Sequence, residues 1–496
     1  MGRRSRREFL RCAGLSGAAL ALSDFARAAA YLPGAPLPNF VMIYMDDMGY
    51  ADPSCYGAVP GLTPNIDRLA KEGMRFTDFY VAQAVCSASR AALLTGCYSN
   101  RVGVLGALGP NAPAGLDPDE DTIADVLRRR GYVCGVVGKW HLGDRRPYLP
   151  LQQGFDEYFG LPYSNDMWPV DYDGTPIKPG QKGEEADGRP HRPYYPPLFL
   201  MKNNEKVLEV RDLADQDKLT TLYAEHAVNF VSSHKNHPFF LYLAHTMVHV
   251  PLGVSGRFRG KSGRGLFADV MMEIDWSIGR VLEALRRHGL EKNTIVVFAS
   301  DNGPWLNFGN HAGSAGPLRE GKGTMWEGGC RVPCIARWPG RIPAGVVCNR
   351  MAATIDILPT FAEIAGATLP QRKIDGVSIL PLLRGDRDAN PRAIYWLYYG
   401  PTLTGVREGK WKLQLPHMSR TYEGFKPGRD GIPGKTGTRN LDLALYDLEA
   451  DIGERTNLAD EYPEVVARLQ KIAAAARADL GDTDKPGPGV RLPRKL

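Results

Sequence analysis

Phe40-Val41-Met42-Ile43-Tyr44, followed by Asp46-Asp47, is an unbroken apolar run that ends in two carboxylates. A strand with one wet face alternates polar and apolar residues. A run that is apolar at consecutive positions is buried on both faces, as in a parallel or mixed sheet covered by helices on each side. Three further runs have this character: Tyr132-Val133-Cys134-Gly135-Val136-Val137, Phe239-Phe240-Leu241-Tyr242-Leu243 and Thr294-Ile295-Val296-Val297-Phe298. Helices are predicted between them. One opens at Thr63-Pro64-Asn65 and stops at Gly73, a second opens at Asp121-Thr122-Ile123 and ends at Gly131, and an amphipathic third runs from Phe267 to Arg287 before Gly289. The expected fold is α/β: a large mixed, mostly parallel sheet sandwiched by helices, with ligands beyond the carboxyl ends of its strands.

From about residue 391 the pattern changes to alternating strands, at Ile394–Tyr398 and Trp411–Leu415, and then to a helix from Pro463 to Leu480. This predicts a smaller C-terminal α+β subdomain over 391–496, after a main domain over 31–390. The stretch from Trp168 to Pro197 is rich in Pro, Gly and charge without periodicity. It reads as a surface excursion beside the site, and the tail from Pro486 to Leu496 reads as disordered.

Each apolar run leads into residues able to do chemistry. Asp46 and Asp47 end the first, Asp301 and Asn302 the fourth. Three carboxylates brought together without countercharge would repel, and a hard cation with oxygen ligands resolves this; a calcium site fits better than magnesium, which tends to keep several waters. The second run enters Gly138-Lys139-Trp140-His141-Leu142-Gly143, and the third enters Ala244-His245-Thr246-Met247-Val248-His249-Val250-Pro251. Cys86-Ser87-Ala88-Ser89-Arg90 stands at the expected entry of another helix. Free N–H groups and the dipole there favour an anion, and Arg90 one turn later points back toward Cys86.

In order along the chain, D-D-M-G-Y, C-x-A-S-R, G-K-W-H-L-G, H-x-P, S-D-N-G and G-K-G-x-x-x-E-G-G (Gly321 to Gly329) resemble the motifs of type I sulfatases of the arylsulfatase A kind, within the alkaline phosphatase-like superfamily. The likeness extends to Leu445-Tyr446-Asp447-Leu448 and Asn457-Leu458-Ala459. Ala88 stands where the family usually has proline. The resemblance implies a sulfuric ester hydrolase acting on an aryl sulfate or a sulfated carbohydrate or lipid. Cys86 would be converted to formylglycine by a formylglycine-generating enzyme, and its hydrated aldehyde would attack the ester. It implies Asp46, Asp47, Asp301, Asn302 and residue 86 around Ca2+. Arg90 would hold the nucleophile, Lys139 and His141 would act as charge stabiliser and proton acceptor, and His249 and Lys322 would face the leaving oxygen. His245 would line the substrate pocket or simply pack. Two other readings use the same residues: a phosphodiesterase or phosphonate monoester hydrolase of the same superfamily, and a non-catalytic anion-binding protein.

The first thirty of the 496 residues differ from the rest. Arg6-Arg7 precedes an apolar run from Cys12 to Leu22, too short to span a bilayer, and then Ala26-Arg27-Ala28. This reads as a twin-arginine signal peptide with an A-x-A cleavage site, addressing the protein through the twin-arginine translocase to the periplasm or medium, with no integral membrane segment in the mature form. The segment carries six arginines against Glu8 and Asp24, so most of the net +6 leaves with it. The near-neutral remainder gives no electrostatic argument for nucleic acid. Apart from Cys12 and Cys86, the other six of the eight cysteines follow no metal-binding spacing and leave room for one or two bridges.

Overall fold

The computed structural model describes residues 36–180 and 192–494. The export segment read at 1–30 lies outside the described residues. Ten strands make one mixed sheet: β1 (Asn39–Met45), β2 (Met74–Phe76), β3 (Val133–Gly138), β4 (Glu157–Gly160), β5 (Leu198–Lys202), β6 (Glu205–Val210), β7 (Phe239–Ala244), β8 (Thr294–Ser300), β9 (Cys334–Arg337) and β10 (Val346–Cys348). Their order across the sheet is β10-β2-β9-β8-β1-β7-β3-β4-β5-β6. The four runs expected as buried strands are the four central neighbours β8, β1, β7 and β3, all parallel. Antiparallel pairing is confined to the flanks, where β9 meets β8 and β2, and β4, β5 and β6 form a meander.

Helices α1 (Pro64–Glu72), α2 (Cys86–Thr95), α3 (Ile123–Arg128), α4 (Leu219–Ser233), α5 (Leu266–Arg287) and α6 (Ile357–Ala365) cover the sheet. Successive side chains of β1 take opposite faces. Val41, Ile43 and Met45 share a core with α1, α4 and α5. On the other face the ring of Phe40 lies 4.4 Å from that of Phe361 in α6, and Tyr44 Oη lies 2.8 Å from Ser89 Oγ in α2. The helix signals were informative. Pro64 opens α1 and Gly73 ends it, while Thr122 and Asp125 form a reciprocal capping box on α3. Helix α3 stops at Arg128, short of Gly131, which takes φ 81° in the following turn.

Beyond the large sheet the longer strands are β11 (Ile394–Tyr399), β12 (Thr402–Glu408), β13 (Trp411–Gln414), β14 (His417–Thr421), β15 (Gly437–Leu441) and β16 (Ala444–Asp447), followed by α7 (Pro463–Leu480). They form a four-stranded antiparallel sheet, β11-β12-β13-β16, and a separate β14-β15 hairpin; α7 lies against β12 and β13. All belong to one compact unit with the large sheet, Pro38–Leu496.

Two expectations are corrected. The tail is not disordered over its described length, because its arginines find an acidic surface. Arg491 binds Glu120 at 2.7 Å, the Arg494 N–H donates to Asp117 at 2.9 Å, and the Arg494 guanidinium pairs with Asp119. Trp168, read as the start of a surface excursion, is fully buried in the main core beside Val170 and Tyr163. All seven cysteines among the described residues are free, and no described helix is long and apolar enough to cross a membrane.

Candidate active site

Strand register brings the motifs together. Met45 of β1 lies opposite Ser300 of β8, and the Asp301 N–H donates to the Met45 carbonyl at 3.0 Å, so Asp46-Asp47 and Asp301-Asn302 leave the sheet side by side. On the other flank Ala244 of β7 is opposite both Tyr44 and Gly138, and the Lys139 N–H donates to the Ala244 carbonyl at 2.7 Å. Gly138 is required there: φ is 111°, and a Cβ would stand 1.8 Å from the Ala244 carbonyl oxygen. Asp47, His141 and Glu320 adopt left-handed φ of 59–61°, a conformation that costs a non-glycine residue about 1 kcal/mol or more and clusters at functional sites.

Cys86 is the first residue of α2, whose N-terminus carries no side-chain cap. One turn later Arg90 is fully buried. It donates to Asp301 Oδ2 from Nε at 3.1 Å and from a terminal nitrogen at 2.7 Å, and to the Lys139 carbonyl at 3.1 Å. The Lys139 ammonium sits 2.6 Å from Asp46 Oδ2 and 3.2 Å from Ser164 Oγ. That of Lys322 sits 2.7 and 2.8 Å from the two oxygens of Asp47. The three carboxylates therefore each have a protein cation, and the expected uncompensated repulsion is absent. Burial works against every one of these charges. Lys139 and Arg90 nonetheless hold Asp46 well below the usual carboxylate range, while burial and the charge of Asp46 push Asp301 up.

What supports a bound cation is instead unmet acceptor capacity. Asp46 Oδ1 and Asn302 Oδ1 are buried without a hydrogen-bond partner, in a neighbourhood where Asp46, Asp47 and His249 offer ligand atoms within 4.8 Å of one another. Buried orphan oxygens are rare and call for a ligand. Hard oxygens beside two carboxylates suit calcium chemistry, so the residues present fit the implied ion.

The histidines differ in role. His141 Nε2–H donates to the Leu108 carbonyl at 2.8 Å, which leaves Nδ1 a bare, buried acceptor with no partner. Burial, Lys139 and Arg90 keep this ring neutral. His249 Nδ1–H donates to the Val250 carbonyl at 2.6 Å and turns Nε2 toward Asp47 Oδ2, 3.6 Å away. His245 stands apart. Its Nε2 lies 3.3 Å from Ser277 Oγ on α5, and burial alone pulls its pKa down to about 4, with no charge of the site acting on it.

Several residues at the site gave no sequence signal. Trp305 places its ring 4.4 Å from the Lys322 ammonium and 5.4 Å from the His249 ring. Asp166, from the loop after β4, is held down to about 2 because His249 and Arg192 outweigh its burial. Tyr399 of β11 packs against Cys86 and Ala88, and Tyr422 Oη donates to the Lys322 carbonyl at 2.5 Å. Only Trp305, three residues after Asn302, is near a motif in sequence.

The Sulfatase family model matches residues 38–367, and a model described as N-sulphoglucosamine sulphohydrolase, C-terminal matches residues 321–415. Human arylsulfatase A is 38% identical over 456 residues, covering 90% of this chain and 88% of that protein. Human N-acetylgalactosamine-6-sulfatase is 38% identical, covering 88% and 85%. Among solved structures, the PsFucS1 sulfatase from Pseudoalteromonas sp. superposes with a TM-score of 0.75 at 26% identity, covering 89% of this chain and 90% of that one. The motif residues lie at one end of a sheet with this architecture, and the chain belongs to the sulfatase family.

Proposed function

We infer that the chain hydrolyses a sulfate monoester, an aryl sulfate or a sulfated carbohydrate, using a nucleophile derived from Cys86 and calcium held by Asp46, Asp47, Asp301 and Asn302. The observation that carries this reading is the placement of Cys86 at an uncapped helix N-terminus beside three buried cations, each already tied to a carboxylate. A formylglycine hydrate at position 86 would supply the attacking hydroxyl and a second hydroxyl to expel sulfate, and calcium held by Asp46, Asp47, Asp301 and Asn302 would supply further positive charge. The chain's own residues do the rest. Arg90, Lys139 and Lys322 offer positive charge to an anion whose charge shifts onto oxygen as the ester S–O bond breaks. His141 Nδ1, bare and neutral, accepts the proton of the attacking hydroxyl, and the Lys322 ammonium, or His249 Nε2 when its ring is protonated against the pull of burial and Lys322, gives one to the leaving oxygen.

We further read the chain as folding in the cytoplasm, after a formylglycine-generating enzyme has acted on the exposed Cys86 segment, and leaving through the twin-arginine translocase. Mass spectrometry of the residue-86 peptide from exported protein, combined with turnover of 4-nitrophenyl sulfate, tests the reading. An aldehyde or its hydrate in active protein is the expected result. An unmodified thiol in fully active protein, or faster turnover of phosphonate monoesters, would overturn it.

A further inference from the structure

The cations within the site are all committed to carboxylates: Arg90 to Asp301, Lys139 to Asp46 and Lys322 to Asp47. At its rim stands one that is not. Arg420, on β14, is partly buried and has no carboxylate partner among the described residues. Its guanidinium lies on the bare face of Gly323, where a Cβ would meet Arg420 Nη1 at 2.8 Å and the Tyr399 hydroxyl at 3.4 Å. Gly323 follows Lys322, and its N–H donates to the Ala84 carbonyl at 2.9 Å, two residues before Cys86. Two residues on from Arg420 is Tyr422, whose hydroxyl donates to the Lys322 carbonyl and is within hydrogen-bonding reach of the Arg420 guanidinium. An unneutralised guanidinium, flanked by two phenol hydroxyls, thus sits one residue from a proposed leaving-group residue.

Resting on the sulfate-ester reading above, we propose that Arg420, with the Tyr399 hydroxyl, forms a subsite for a second anionic group, carboxylate or sulfate, on the molecule that carries the scissile ester. A guanidinium recognises such groups through paired N–H donors in a way a lysine cannot reproduce. The site's interior cations, being neutralised in place, leave this charge free to select between substrates. The natural substrate is accordingly a polyanion, such as a sulfated sugar linked to a uronic acid or bearing two sulfates, rather than an aryl sulfate with no second charge.

The test compares a monosulfated hexosamine–hexuronate disaccharide with its carboxyl-reduced form, and with a disulfated disaccharide, using the wild type, Arg420→Ala and Arg420→Lys. The wild type is expected to favour the acidic disaccharides by tenfold or more in kcat/KM, chiefly through KM. Arg420→Ala should erase that preference and Arg420→Lys should keep part of it. Selective loss on the carboxylate or on the disulfated sugar tells which anion is bound. Equal losses on acidic and reduced forms, as a merely structural role would give, overturn the proposal, as does a wild type with no preference. Calorimetry with the desulfated hexosamine–hexuronate product reads the subsite without turnover. Binding lost in Arg420→Ala supports the proposal even if sulfate hydrolysis fails, and equal binding by both proteins refutes it.

Discussion

At the scale of single residues, the two histidines of the site are distinguished by which ring nitrogen the backbone claims. The Leu108 carbonyl takes Nε2–H of His141 and the Val250 carbonyl takes Nδ1–H of His249, so each ring presents its other nitrogen to the pocket. Both neutral rings thus present a bare acceptor, and it is the proposed roles, proton acceptor for His141 and leaving-group partner for His249 and Lys322, that predict different kinetic signatures. Replacing His249 or Lys322 with alanine should cost esters of poorly acidic alcohols about 10–100-fold more than 4-nitrophenyl sulfate, whose leaving oxygen needs little protonation. A plot of kcat/KM against leaving-group pKa should therefore steepen. His141→Ala should slow both substrate types alike, by about 10²–10⁴, because it acts on the nucleophile. Parallel plots for all three variants would refute the division of labour.

At the scale of elements, buried charge locks helices and strands to one another across long sequence separations. The Asp275 carboxylate on α5 accepts the Asn65 N–H at 2.9 and 3.1 Å and the Ile66 N–H at 2.9 Å, capping α1 from a distant helix. Burial outweighs these bonds and pushes the carboxyl up to about 6. The folded state then holds a proton that the unfolded chain has lost, so this group's contribution falls as pH rises from about 4 to about 6 and is level above that. Asp275→Ala should lower stability by about 1–3 kcal/mol and flatten that slope, as read by denaturant melts at several pH values. An unchanged slope would reassign the titration. Lys412 of β13 reaches the Met325 carbonyl at 2.8 Å, Glu327 at 3.0 Å and Glu454 at 2.6 Å, tying the C-terminal sheet to the loop that carries Lys322. Lys412→Met leaves the buried Glu454 without a cation, while Glu327 keeps Arg331 at 3.2 Å, and should cost about 3–5 kcal/mol, visible as a lowered Tm. A near-neutral result would mean that Arg331 and Arg407 suffice for Glu327, with Glu454 taking up a proton.

At the scale of the whole molecule, the site is electrostatically complete before any metal binds, because Arg90, Lys139 and Lys322 already face three carboxylates. Chelation should therefore abolish turnover while leaving circular dichroism intact, and added calcium should restore activity and raise Tm. Occupancy at a hundred times Kd is worth about 2.7 kcal/mol. Unfolding on chelation, or activity that survives complete removal of divalent ions, would contradict the proposed ion site.

The order of residues alone determined the central sheet, because a strand buried on both faces is apolar at consecutive positions, as Phe40–Tyr44 and Ile295–Phe298 are. It also marked Asp46, Asp47, Lys139, His141, His245, His249, Asp301 and Asn302, which follow strands, and Cys86, which opens a helix with Arg90 one turn on, as one group; Lys322 joined them only through the motif resemblance. Tertiary structure decided what those residues touch. That Asp301 is bound by Arg90 follows from the Met45–Ser300 register. That His245 turns to Ser277 follows from the face of β7 on which α5 packs. Periodicity says only that a position is buried, not against what. Arg420, Tyr399 and Tyr422 were silent in the sequence because they come from two small C-terminal sheets and the turn after β14, more than 300 residues beyond Cys86, that only long-range packing folds onto the site. The ordered tail was missed for the same reason. Its composition suits solvent, and what orders it is an acidic surface made by Asp117, Asp119 and Glu120, far away in the chain.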